Sequence, residues 1–239
     1  MNAIEDGRTI FDNIRKLLTY ILAHNVPELI PYLGFVLFNI PLALTPIQIL
    51  SVDMGTDTLT ALGLGVERAD PQIMQRPPRS RRQRLLDWPL ALRAYFFLGL
   101  IEGIAAMGGF FYVLHEAGWK YGHKLNVKDP LYLQATAACL STIVLLQVIN
   151  VFLCRSENRS LFSKDFLGNR LIVWGVLLEI ALIMLIDYTP WCNAVLGTAP
   201  LPMKVWLFVI PFAGALLFLE EIRKWLIRNR VRRAPMVDG

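Results

Sequence analysis

The sequence predicts an all-α membrane protein, a bundle of about six transmembrane helices with the first two locally broken. Three observations carry this expectation. Of 239 residues, 55% are hydrophobic and only 18% are charged, where soluble domains carry roughly 25% charged residues. The charges are also uneven, clustering between long apolar stretches. Those stretches each approach the roughly 20 residues that a bilayer span requires. What remains after six of them is short loops and tails, too little for a separate catalytic domain.

Taken in order, residues 1–16 are charged and polar (Glu5, Asp6, Arg8, Asp12, Arg15, Lys16), unlike a signal peptide. Ile4, Ile10, Phe11, Ile14, Leu17 and Leu18 recur at near-helical spacing, so this segment reads as a cytoplasmic lead-in helix running into the first span. The spans follow at about 17–40, 42–65, 90–114, 131–154, 171–188 and 205–226, within a membrane domain of 17–227 and ahead of a basic tail, 228–239. His24, Asn25, Glu28, Pro27 and Pro31 interrupt the first span. Asp53, Thr56 and Asp57 surround Gly55 in the second. Placing those aspartates in a loop leaves residues 42–52, too short to cross; adding 58–65 restores the length.

Lys/Arg bias sets orientation. Arg68, Arg76, Arg79, Arg81, Arg82 and Arg84 follow the second span, and Arg155, Arg159, Lys164 and Arg170 follow the fourth. Arg223, Lys224, Arg228, Arg230, Arg232 and Arg233 lie at the C-terminal end. These segments are expected in the cytoplasm, with both termini. Three lysines between His115 and Asp129 are the discordant note. The net charge of +5 fits basic loops beside a bilayer, with no aromatic–basic stripe to suggest nucleic acid. Cys139, Cys154 and Cys192 form no C-x-x-C pair, which argues against zinc, redox chemistry or a disulfide framework.

Ionisable residues inside spans are costly and usually functional. Asn25 lies one turn before Glu28, and Pro27 leaves the Ala23 carbonyl without its helical donor. Asp53 and Asp57 are four apart, with Gly55 and Thr56 between them making local unwinding plausible. Asn25, Glu28, Asp53, Thr56, Asp57 and the Ala23 carbonyl offer oxygen ligands only, a set suited to alkali cations, calcium or protons. A protonated Glu28 bonded within the bundle is the alternative. Gln147 and Asn150 share a face of the fourth span, where helix–helix glue is the favoured reading of the pair taken alone; Glu102 and Glu179 lie within the third and fifth. Gly103, Gly108 and Gly109 read as close-packing points, Glu220 and Glu221 as interfacial, and Trp206 and Trp225 as belt anchors.

Laid in order, these segments resemble the C-terminal membrane region of type II P-type cation ATPases, the group of sodium/potassium, proton/potassium and calcium pumps. The carrying motifs are Ile4-Glu-Asp-Gly-Arg-Thr-Ile-Phe-Asp-Asn-Ile-Arg-Lys, Asn25-Val-Pro-Glu28, Asp53-Met-Gly-Thr-Asp57 and Asp70-Pro-Gln-Ile-Met-Gln-Arg-Pro-Pro-Arg79. The resemblance implies that the spans correspond to the pumps' fifth to tenth helices, and that Asn25, Glu28, Asp53 and Asp57 match ion-coordinating positions. Aspartate at 53 is similar to the sodium/potassium branch, and Tyr20, Gln147 and Glu179 match polar positions at its ion sites. Two departures stand out. Asn150 replaces an aspartate, which puts a third sodium position in doubt, and His24 replaces the sodium pumps' serine or the gastric proton pumps' lysine.

The family's Asp-Lys-Thr-Gly phosphorylation motif and any Gly-rich P-loop do not occur in these residues. The resemblance therefore implies a cation-binding transmembrane module that is no enzyme on its own. Sodium, potassium or calcium would be the transported ion. ATP and Mg²⁺ would enter only through a partner chain carrying the ATPase domains and first four helices. A non-transporting regulatory or vestigial membrane subunit, and a passive cation or proton pathway, stay open beside it. The expected setting is a multi-pass protein of the plasma or bacterial inner membrane.

Overall fold

A computed structural model describes residues 2–55, 57–71, 73–75, 77–78, 84–157 and 168–233, with side chains at 2 and 230–233 left aside. Thr56, most of the basic loop 76–83, and Arg159 and Lys164 thus lie outside the described residues. The described residues are helices and connecting segments without strands.

The first helix, α1 (Asn2–Phe38), is continuous through Pro27 and Pro31. Its interruption is two missing hydrogen bonds inside a helix, not an unwound segment. The second hydrophobic stretch does divide, into α2 (Pro46–Gly55) and α3 (Asp57–Gly65). Their 10 and 9 residues at about 1.5 Å each add up to the thickness of a hydrocarbon layer. A single 3₁₀ turn, Ile73–Gln75, follows.

The third stretch begins where the Asp87 carboxylate caps the Leu90 amide (3.0 Å), opening α4 (Trp88–Ala91). A π-helical segment, Leu92–Gly99, leads into α5 (Leu100–Glu116). Asp129 caps α6 (Pro130–Cys154) with proline in the first turn, and Asn169 caps α7 (Arg170–Tyr188) through the amides of Leu171 and Ile172. A short α8 (Pro190–Leu196) ends on Gly197 at φ 64°, the left-handed termination that glycine tolerates. The last helix, α9, spans Met203–Arg233. Five helices among the described residues are long and apolar enough to cross a membrane; the α2–α3 pair is the further, divided stretch.

α6 runs through the middle, burying Thr136, Ser141, Thr142, Gln147 and Asn150 along with its apolar side chains. Small residues let the helices close on one another. A Cβ on Gly63 would come within 2.7 Å of Ile172, and one on Gly175 within 2.6 Å of Thr60, which interlocks α3 with α7. Gly109 meets Thr142 of α6 in the same way (2.6 Å). Gly103 packs on Pro27 and Ile30, whereas Gly108 has only ordinary contacts to Phe208 and Phe212.

Most Arg–carboxylate contacts among the described residues gather at one end of the bundle. Arg15 pairs with Asp87 (2.8 Å) and Glu157 (3.5 Å), and Arg155 with Glu67 (2.6 Å). Asn13 donates to the carbonyls of Gly65 (3.3 Å) and Glu67 (2.7 Å). Glu220 is not interfacial as its position near a helix end suggests. It is fully buried, with Arg93 (2.6 Å) and Arg223 (2.7 Å) on its carboxylate. The opposite end has one exposed ion pair, Lys204 with Glu116 (2.5 Å), beside neutral bonds: Tyr121 to the Phe38 carbonyl, Tyr132 to the Leu42 carbonyl (2.8 Å), and the Trp206 indole to the Tyr188 hydroxyl (3.0 Å).

Candidate cation site

The arithmetic of one helical turn builds the first wall. His24 and Glu28 are four apart on α1, so they stack on one face, and His24 Nε2 lies 3.0 Å from Glu28 Oε1. The divided second stretch supplies the rest. Asp53 is in the last turn of α2 and Asp57 opens α3. They reach the same imidazole nitrogen at 3.4 Å and 2.9 Å. Splitting the stretch places a carboxylate at the N-terminus of a half-helix, where the exposed amides and the dipole favour negative charge.

Three carboxylates thus converge on one ring nitrogen from three helices. His24 is 3% exposed, whereas the Asp53 side chain is 46% exposed, so the cluster is walled on one side and open on the other. One ligand atom from each of His24, Glu28 and Asp53 falls within 4.8 Å of the others, a spacing that one cation can bridge. Behind the imidazole, Gln147 Nε2 contacts Nδ1 and lies 3.0 Å from Nε2, and the Tyr20 ring stacks on it at 6.4 Å.

A further layer of hydrogen bonds ties the cluster to α7. The Tyr20 hydroxyl donates to Asp57 Oδ1 (3.1 Å) and sits 3.4 Å from Thr60 Oγ1, and Thr60 donates to Glu179 Oε1 (2.7 Å). Every one of these groups except Asp57, at 9%, is at most 1% exposed. The chain of contacts from Glu28 through His24, Asp57, Tyr20 and Thr60 ends at Glu179, whose other oxygen has no partner among the described residues.

The sequence-predicted residues divide accordingly. Glu28, Asp53, Asp57, His24, Tyr20 and Gln147 come together, and Glu179 joins through Thr60. Asn25 does not: it is exposed on the flank of α1. Consecutive helical residues are about 100° apart, so the face carrying His24 and Glu28 turns Asn25 outward. The Ala23 carbonyl does not face the carboxylates either. It points at Gly99, where a Cβ would stand 2.6 Å from it. Asn150 is fully buried on α6, accepting from the Cys154 thiol (3.4 Å) with its Nδ2 unpartnered among the described residues. Thr56 lies outside the described residues.

Sequence reasoning misses Thr60, although it stands one turn from Asp57 on α3 and its face is readable. It also misses Asp187, fully buried and accepting from Ser141 (2.6 Å). An aspartate at the edge of a span reads as interfacial until its partner on another helix is known.

In comparison with known families, residues 41–226 match the family described as cation transporting ATPase, C-terminus. Human sodium/potassium-transporting ATPase subunit alpha-4 is 32% identical over 254 residues, covering 96% of this chain and 25% of that protein. The alpha-1 subunit of Catostomus commersonii is 30% identical and the alpha-2 subunit of Rattus norvegicus 29%, with the same coverage of 96% and 25%. The chain therefore spans about a quarter of the length of these relatives.

Proposed function

Since the chain belongs to the cation transporting ATPase C-terminal family, as the C-terminal membrane region of a P-type ATPase of sodium/potassium type, we propose that it is the cation-binding module of such a pump, holding its ion at Glu28, Asp53 and Asp57. One observation carries this reading: three carboxylates from α1, α2 and α3 meet at 2.9–3.4 Å around a single nitrogen of His24. Oxygen donors of this kind suit a hard cation. The relatives' names favour sodium or potassium as the cargo.

In this reading His24 is a tethered occupant of the site. Its ring stands among carboxylates where a mobile cation would otherwise sit, and competes with that cation for the same oxygens. The open flank, with exposed Asn25 and the exposed side of Asp53, is where a further helix would complete the coordination. That helix and the phosphorylation and nucleotide domains would come from elsewhere in the pump. Phosphorylation there would bias α1 and the α2–α3 break between two geometries of unequal ion affinity, which is how a remote reaction changes binding. The basic ends after α3, α6 and α9 would face the cytoplasm.

The test is a pull-down of the tagged chain from its native membranes in mild detergent, followed by brief incubation with labelled ATP. The expected result is a hydroxylamine-sensitive acyl-phosphate in the purified complex that responds to sodium, potassium or calcium. Recovery of the chain with no phosphorylated component overturns active transport and favours a regulatory, passive or vestigial membrane module.

A further inference from the structure

α5 carries a carboxylate that the cluster around His24 does not use. Glu102 is 0% exposed, and neither of its oxygens has a hydrogen-bond partner among the described residues. A charge buried this way inside a membrane bundle is expensive unless something neutralises it, so its surroundings matter.

Those surroundings are set by two close approaches. Gly99, the last residue of the π-helical segment, abuts the Ala23 carbonyl and Val26, with a Cβ there at 2.6 Å and 2.7 Å. Gly103 lies against Pro27 and Ile30. Glu102 stands between these contacts in the chain, on the part of α5 that rides over the turn Pro27 leaves without its hydrogen bond. π-Helical insertions shift the register of everything after them and recur at functional sites.

The third wall is α6. Gly109 sits against Ala138 and Thr142, and α5 and α6 are joined by the short connection 117–129, so they run antiparallel. Glu102, Ala106 and Gly109 share one face of α5 at helical spacing. Two turns before Gly109, Glu102 is level with 147–150 on α6. There Gln147 Oε1 and Asn150 Nδ2, both in fully buried side chains, also lack partners among the described residues. Glu102 is within electrostatic reach of His24, Asp57 and Cys154, which agrees with this register. The groups on these facing turns are mostly acceptors: a carboxylate, a proline-freed carbonyl and an amide oxygen. Only Asn150 Nδ2 is a donor. An acceptor-rich, donor-poor set of groups is matched by a positive ion.

We propose that Glu102 anchors a second cation position, adjacent to the Glu28–Asp53–Asp57 cluster, in which a monovalent metal cation is held by the Glu102 carboxylate with the Ala23 carbonyl and the Gln147 amide oxygen. The proposal rests on the reading of the chain as a cation-binding module and extends it from one position to two. Gln147 touches His24 as well, so the two positions share a neighbour.

The experiment uses the full chain in lipid nanodiscs, comparing wild type, Glu102→Gln, Glu102→Asp and Asp57→Asn. Bound ²²Na⁺ and ⁸⁶Rb⁺ are counted at equilibrium. Infrared difference spectra are recorded between sodium or potassium chloride and choline chloride, and thermal unfolding confirms the fold of each variant. The expected result is loss of about one cation per chain in Glu102→Gln, with the Asp57-dependent cation retained. A carboxyl band that is absent in Glu102→Gln and shifted in Glu102→Asp should also respond to the metal cations. If Glu102→Gln fails to fold, Glu102→Asp and the wild-type band decide. Unchanged stoichiometry in Glu102→Gln, or a Glu102 band indifferent to metal cations, overturns the proposal; loss of a cation in Asp57→Asn alone then leaves the proposed function standing. Loss only in Glu102→Gln supports this position and removes the ion from the carboxylate cluster. A wild type that binds neither ion overturns both.

Discussion

Two buried charged clusters stand in this bundle, and they are built to opposite rules. Around Glu220 one carboxylate meets two guanidiniums, with Lys224 in electrostatic reach. Arg93 gives Glu220 Oε1 two bonds (2.6 and 3.1 Å), and Arg223 reaches both oxygens at 2.7 Å. Arg93 and Lys224 also donate to the Leu153 carbonyl (3.1 and 3.2 Å), capping the last turn of α6. Around His24 the ratio is inverted, three carboxylates to one imidazole, and one side is open. The first cluster satisfies its carboxylate fully and joins α9, α6 and the π-helical segment; it is a clamp. The second gathers more carboxylates than cationic partners, the balance that the proposed cation site calls for. Burial of ionisable groups marks both clusters, and only the balance of donors against acceptors tells them apart.

That contrast is broken most severely at Glu220. Glu220→Ala leaves Arg93 and Arg223 without their anion in a buried setting, and removing one partner of a buried pair costs about 3–5 kcal/mol. The expected outcome is a large fall in the detergent unfolding temperature or failure to accumulate in the membrane. Asp57→Asn should do the reverse. Stability stays level or rises, because like charges are separated, while sodium or rubidium binding falls at least about tenfold, the loss of one charge-assisted contact of roughly 1.5–3 kcal/mol. Parallel melting curves and binding isotherms check both. An Asp57→Asn variant that melts like Glu220→Ala would erase the distinction.

The bundle and most of the carboxylate cluster around His24 are legible in the sequence because they rest on local rules. Hydrophobic stretches of span length mark the helices, and proline at 27 with carboxylates at 28, 53 and 57 marks where they fail to be regular. Asn25 is misplaced by the same arithmetic carried one residue too far: a residue one turn from Glu28 is not also on the face of His24. Glu220 misleads for a different reason. A carboxylate among arginines near a helix end looks like a snorkelling surface group, and only Arg93, 127 residues away in the chain, shows that it is buried. That the oxygens of Glu102 lack partners among the described residues is likewise a tertiary fact. Nothing in 88–116 alone says that this carboxylate ends fully buried and without such partners.

His24→Ser sharpens the comparison by a smaller step. Removing the tethered imidazole frees the oxygens of Glu28, Asp53 and Asp57 for a mobile ion, so affinity for sodium or potassium should rise, by about tenfold if one charge-assisted contact is at stake. A fall in affinity would instead make His24 a ligand. Thr60→Val follows, deleting the bridge between Tyr20 and Glu179 at a cost of about 1 kcal/mol. It should weaken binding up to roughly fivefold and leave the Glu220 clamp untouched.

The smallest effect is expected at the rim of the clamp, where Arg15 meets Asp87. The hydrogen bond from Arg15 holds the Asp87 carboxyl below its ordinary value, against partial burial that raises it, and the Leu90 amide adds to the lowering. A carboxylate whose value is depressed by folding stabilises the fold above its unfolded value and loses that contribution as pH falls through the folded one. The window therefore lies on the acid side, below roughly pH 4, and nothing should change near neutrality. The Asp87 side chain is 32% exposed, so solvent screening keeps the effect small. In melting experiments across that range, Asp87→Asn should flatten part of the acid destabilisation. An Asp87→Asn variant whose acid limb matches wild type would mean that the Arg15 contact contributes nothing, and that the clamp ends at Glu220.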